Sequence, residues 1–86
     1  MYKFKTVINT FKNKKGYTIT SVQTDFVGNQ CISVYVNTNG NVLQYNLTKE
    51  GGYILGECFV NGLFNVNGNF KFKTQKEVIK YILQNN

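Results

Sequence analysis

The side chains best suited to chemistry in this 86-residue chain are four carboxylates and two thiols: Asp25, Glu50, Glu57, Glu77, Cys31 and Cys58. There is no His. That excludes a Ser–His or Cys–His couple and an imidazole metal site. Two thiols alone do not complete a zinc site. Thr74-Gln75-Lys76-Glu77 has capping-box spacing, which gives Glu77 a structural task. Asp25 and Glu50 fall in expected turns, where carboxylates bond to local backbone. Glu57 stands alone on an expected strand, so no two carboxylates are spaced as a general acid and base. No Gly-rich phosphate-cradling motif is present. The chain therefore reads as a non-enzymatic binding protein with no cofactor and no metal.

The binding signal is charge. Ten Lys against four acids give a net charge of +6, and Arg is absent. Without Arg there is no bidentate guanidinium fork for phosphate or guanine. In Phe70-Lys71-Phe72-Lys73, strand geometry places the two rings on one face and the two lysines on the other. Lys3, Lys5, Lys12, Lys14 and Lys15 crowd the first fifteen residues. Together with Lys76 and Lys80, one helical turn apart, these nine form a candidate basic ridge able to track phosphates. Tyr35 is a candidate stacking residue on an open sheet face. The plainer alternative makes Phe70 and Phe72 core and the lysines solvated guards of a sheet edge. Thirteen Asn and no Ala, Pro or Arg also fit low-GC codon usage, which by itself raises Lys.

These residues need elements to position them. Phe4, Val7, Ile8 and Phe11 form one apolar stripe at helical period, so the first segment predicts a helix rather than a strand at Tyr2–Lys5. The following lysines suit its C-terminal turn, and Gly16 suits its C′ position. Strands are expected at 17–24, 30–37 and 42–48, with Asn39-Gly40 as a type I′ hairpin turn. Ile32, Val34 and Val36 share one face; Leu43, Tyr45 and Leu47 share another. Residues 49–52 read as a turn and 53–60 as a strand. Asn61-Gly62 and Asn67-Gly68 read as two turns bracketing a very short segment, followed by a strand at 70–73. Thr74 opens the last helix, with Val78, Ile79, Ile82 and Leu83 as its buried face.

The expected fold class is α+β: an antiparallel sheet of three to five strands with N-terminal and C-terminal helices on one face, in the order αβββ(ββ)α. Residues 1–86 make one domain. No apolar run approaches a signal peptide or a membrane span. Cys31 and Cys58 are expected to be reduced, with a single disulfide as the minor alternative, and the expected location is cytoplasmic.

Two resemblances add to this. Lys76 and Lys80 fall at the first and last lysines of the Lys-Lys-x-Ala-Lys motif that opens the second helix of double-stranded-RNA-binding domains, whose αβββα order is similar. Here Glu77 replaces the second lysine, Ile79 replaces the alanine, and the family's His-bearing loop is absent. Residues 11–41 resemble small phage anti-CRISPR proteins of the type II class, which occupy the PAM-reading site of an RNA-guided nuclease. The matching residues are Lys12-Asn13-Lys14, Tyr17-Thr18, Thr24-Asp25, Val36-Asn37 and Gly40-Asn41. That family carries a dense acidic surface in its second half, where this chain has only Glu57 and Glu77 after Glu50. The resemblance implies a shared scaffold, and the basic balance excludes the family's DNA mimicry. The expected function is stoichiometric inhibition of a host nucleoprotein or defence nuclease in a bacterial host cell. Alternatives are direct nucleic-acid binding through the Lys ridge, or a protein-interaction module or homodimer.

Overall fold

The computed structural model describes residues 1–85; Asn86 lies outside the described residues. The elements are α1 (Lys5–Phe11), β1 (Tyr17–Ile19), β2 (Gln23–Thr24), β3 (Gln30–Thr38), β4 (Asn41–Glu50), β5 (Tyr53–Val60), β6 (Leu63–Phe72) and α2 (Gln75–Gln84). All six strands join one antiparallel sheet in the order β1-β3-β4-β5-β6, with β2 beside β3. The α+β class with a helix at each end agrees with the sequence. The strand count exceeds the expected three to five.

The extra strand has a local cause. The run expected as one strand at 17–24 is divided. Ile19 pairs with Val34 and Gln23 with Cys31, so three residues on this side oppose two on β3. At the break, the Thr20 hydroxyl accepts the Ser33 N–H at 2.9 Å, a side chain standing in for a strand carbonyl. This is a β-bulge, which bends a strand and raises its twist.

A second correction concerns Asn67-Gly68. Asn61-Gly62, like Asn39-Gly40, has positive φ at both residues, as a type I′ turn requires. Asn67-Gly68 instead lies inside β6, in an irregular stretch where Cys58 pairs with Asn65 and Gly56 with Phe70. Gly68 is there because of space. A Cβ on it would sit 2.7 Å from the Cβ of Cys58.

One face of the sheet is the core. Cross-strand pairing aligns Ile32, Val34 and Val36 with Leu47, Tyr45 and Leu43. Ile54, Cys58, Phe70 and Phe72 extend this floor across β5 and β6. Val7 and Phe11 of α1 and Val78 and Ile82 of α2 cover it, in a single hydrophobic cluster. The Phe70 ring lies directly on Gly56, filling the space a side chain would need. Leu83, expected in the buried face of α2, is 42% exposed. Its place is taken by Tyr81, whose ring packs 4.5 Å from Phe70 and 5.7 Å from Phe72. The radius of gyration is 12.0 Å.

The capping box of α2 forms as expected, with both Thr74 and Glu77 engaged. α1 is shorter than expected. It ends at Phe11 with Lys12 as C-cap, so Lys14 and Lys15 lie in the following turn and not in the helix. Gly16 is not its C′ residue. It sits at the entry to β1 with φ 86° and accepts the Asn37 N–H through its carbonyl. Seven residues are too few for a helix to stand alone. Its N-cap, Phe4, is left-handed (φ 50°) and offers no side-chain cap. The missing acceptor comes from α2: the Gln75 Oε1 takes the Val7 N–H at 2.9 Å, while its Nε2 donates to the Tyr2 hydroxyl at 2.8 Å. One glutamine thus joins both helices and the first residues of the chain.

Candidate functional site

The nine candidate lysines are all exposed, and the fold divides them. Lys12, Lys14 and Lys15 follow α1 at the end of the molecule where β1 begins and Tyr17 pairs with Val36. Lys14 stands over the Tyr17 ring at 5.6 Å. Lys71 and Lys73 lie at the opposite edge strand and the opposite end. Both stand over the Tyr53 ring, at 4.3 and 5.9 Å. Lys3, Lys5 and Lys76 belong to that second end, because Gln75 bonds to Tyr2 and Val7 there. Lys80 sits further along α2, beside Phe72, Glu77 and Gln84. Lys49, which the sequence did not single out, joins this end. Its ammonium lies 4.9 Å from the Tyr2 ring, and its strand partner Ile54 also pairs with Phe72. Its role is invisible in sequence, since it depends on the register of β4 against β5.

The second surface is the uncovered face of the sheet. Tyr35 lies there, as expected, half-buried beside Thr18 and Gln44. Its neighbours are hydroxyls and amides tied to one another. The Ser33 hydroxyl donates to Asn46 Oδ1 at 2.7 Å, and the Gln44 amide donates to the same oxygen at 2.9 Å. A shallow depression of about 410 Å³ runs over this network, with Tyr35, Asp25 and Glu57 among its walls. A neighbouring one of about 480 Å³ is bounded by Asp25, Glu50, Glu57 and Leu55. Three of the four acids therefore border the face away from the helices, and the whole-chain charge of +6 does not describe it.

The loop between β2 and β3 rises beside this face. Asp25 Oδ1 accepts the N–H groups of Val27 and Asn29 at 3.0 and 2.8 Å. The Asp25 N–H donates to the Asn29 carbonyl, and the Gly28 N–H to the Asp25 carbonyl. Four hydrogen bonds in five residues hold the turn. At its tip Phe26 is fully exposed (103%) and Val27 is 72% exposed. The sequence signal is an aromatic residue inside an Asp-to-Gly turn, Asp25-Phe26-Val27-Gly28.

The cysteines cannot meet. Cys58 points into the core beside Tyr45, while Cys31 alternates with the buried positions of β3 and lies on the open face; both are free thiols. Burial raises the Cys58 thiol, partly offset by its hydrogen bond with Tyr45. Burial likewise pushes the Tyr45 phenol well above the ordinary tyrosine range. Both are neutral at neutral pH and serve packing. Among the described residues, no group of three or more His, Cys, Asp or Glu is placed to hold a metal ion. No helix among them is long and apolar enough to cross a membrane.

The architecture is thus a one-sided α+β sandwich: helices on one face of an antiparallel sheet, the other face left open with a polar centre, and a basic end. Comparison with protein-family models, with curated proteins and with solved structures finds no match.

Proposed function

We propose that this is a non-enzymatic binding protein that acts by stoichiometric association with a protein or ribonucleoprotein. Its target, on this reading, is a nucleoprotein machine of a bacterial host, a defence nuclease being the leading case, and its source a phage or mobile element. The observation that carries the reading is the Phe26 turn. A fully exposed aromatic on a turn braced by four hydrogen bonds has already lost the freedom that binding would otherwise remove. Aromatic side chains so presented are the usual anchors of protein interfaces. Beside it, the open sheet face offers tyrosine, amide and hydroxyl groups on a rigid support. Edge-to-edge pairing of two copies is less favoured, because β6 is irregular in register between Asn65 and Phe70 and the other edge is made of two short strands.

The test is affinity capture from extract of the native host, with the recovered proteins identified by mass spectrometry and the complex sized by light scattering. The expected result is a complex of fixed stoichiometry containing a nuclease or nucleoprotein component. Phe26→Ser is expected to weaken it about 30-fold, as loss of a hot-spot anchor does. Recovery of no such component would sink the reading.

A further inference from the structure

The end of the molecule that carries Lys49, Lys71 and Lys73 has a separate meaning. Lysines converge on it from both sides of the sheet. On the open side, Lys71 and Lys73 flank Tyr53. On the helix side, Lys49 stands over Tyr2, which is tied to Gln75. Lys3 and Lys5 lie within three residues of Tyr2, and Lys76 follows Gln75. The ring partners of Lys49, Lys71 and Lys73 are tyrosines, which leave the positive charge unneutralised. The acids at this end are Asp25, Glu50 and Glu77; Asp25 is engaged by the Val27 and Asn29 N–H groups of its own turn, Glu77 by the capping box of α2, and Glu50 borders a shallow depression with Tyr53 and Lys71, so six lysines face three carboxylates.

We propose that this end binds the phosphate backbone of nucleic acid. The six lysines do not converge on a cleft, as a single phosphate would need. They form a rim that passes around the ends of β4, β5 and β6, which suits an extended polyanion. Lys71 lies on β6 and Lys73 just past its last residue, and both ammonium groups stand over the same ring, that of Tyr53, at 4.3 and 5.9 Å, so two charges sit side by side along the rim. Base reading is not part of the site. Arg is absent, and the Tyr2 and Tyr53 rings already carry lysines. An anionic bilayer fits less well: the exposed apolar residues beside these lysines are Met1 and Tyr53, and the Tyr53 ring is already covered by Lys71 and Lys73, which leaves no apolar patch to insert. The site reaches onto the open face only through Tyr53, Lys71 and Lys73, uses neither Phe26 nor Tyr35, and does not rest on the function proposed for that face.

The experiment is a salt titration of fluorescence anisotropy with a labelled oligouridine and with a labelled duplex. Two variants remove the same charge from opposite ends: Lys71→Gln/Lys73→Gln/Lys76→Gln and Lys12→Gln/Lys14→Gln/Lys15→Gln. Wild type is expected to bind in low salt. The first variant is expected to flatten the log–log salt slope by about 2 for the single strand, at roughly 0.7 per phosphate contact, and by slightly more for the duplex. The second is expected to leave the slope within about half a unit. Lys71→Arg/Lys73→Arg/Lys76→Arg keeps the charge and is expected to bind as wild type does, which separates lost contacts from lost fold. Equal losses in both Gln variants would overturn the proposal. So would absence of binding in low salt, or Lys71-dependent capture by phosphatidylglycerol vesicles without nucleic-acid binding.

Discussion

The two faces of the sheet are made by the same strands and obey opposite rules. On β3, Ile32, Val34 and Val36 are buried beneath the helices, while Cys31, Ser33 and Tyr35, one residue away in each case, stay accessible. On β4, Tyr45 and Leu47 are core, while Gln44, Asn46 and Thr48 border open depressions. The helix-covered face is apolar and close-packed, so it governs stability. The other face is hydrogen-bonded and polar at its centre, carries Phe59 packed on an exposed Phe64 toward the β5–β6 turn, and is crowned by an exposed Phe26, so it is free to serve binding. Substitutions on the two faces should therefore separate folding from association.

The largest effect is expected at Phe11, fully buried and stacked on Tyr17 at 4.9 Å. Phe11→Ala should cost about 3–5 kcal/mol in chemical denaturation, a large part of the stability of a domain this size. Gly56→Ala comes next. The new methyl must displace the Phe70 ring, and a loss of about 2–3 kcal/mol is expected from the same measurement. Gln75→Ala removes the acceptor for the Val7 N–H and the donor to Tyr2, and should cost about 1–2 kcal/mol.

The pH dependence sharpens the contrast, because both groups with raised pKa values lie on the helix face. A group that holds its proton more tightly when folded contributes stability that is complete below its unfolded pKa and is lost as pH rises through its folded pKa. Stability should therefore be level through neutral pH. It should then fall above about 8.5 through Cys58, and further above about 10 through Tyr45. Denaturation midpoints at a series of alkaline pH values would show it, and Tyr45→Phe should flatten the later part of the fall. The smallest effect on stability belongs to the open face. Phe26→Ser and Tyr35→Ala should each shift unfolding by no more than about 0.5–1 kcal/mol, while Phe26→Ser weakens capture of the partner.

The regular part of this fold is legible in the sequence because one face of each strand is apolar. Ile32-Val34-Val36 and Leu43-Tyr45-Leu47 declare their alternation, and Asn39-Gly40 and Asn61-Gly62 declare their turns. What escaped has a tertiary cause. Asn67-Gly68 has the composition of a turn, but Gly68 is required by close approach to Cys58. The division of residues 17–24 follows from the Thr20 side chain substituting in the ladder, which strand propensity does not encode. Tyr81 outranks Leu83 on α2 because Phe70 and Phe72 are aromatic surfaces that only the assembled sheet presents. For the candidate sites, the lysines were visible as a set, but their separation into two ends required the path of α1 along the sheet. Lys49 and Phe26 were hidden for the same reason: each depends on what lies beside it in space.

The four carboxylates give the most direct test of which face binds. Asp25, Glu50 and Glu57 border the open face, and Glu77 lies on α2. Carbodiimide labelling of the free protein and of its captured complex, read by mass spectrometry, reports each one separately. The account predicts that Asp25 and Glu57 lose labelling in the complex while Glu77 keeps it. Protection of Glu77 with Asp25 and Glu57 unchanged would contradict it.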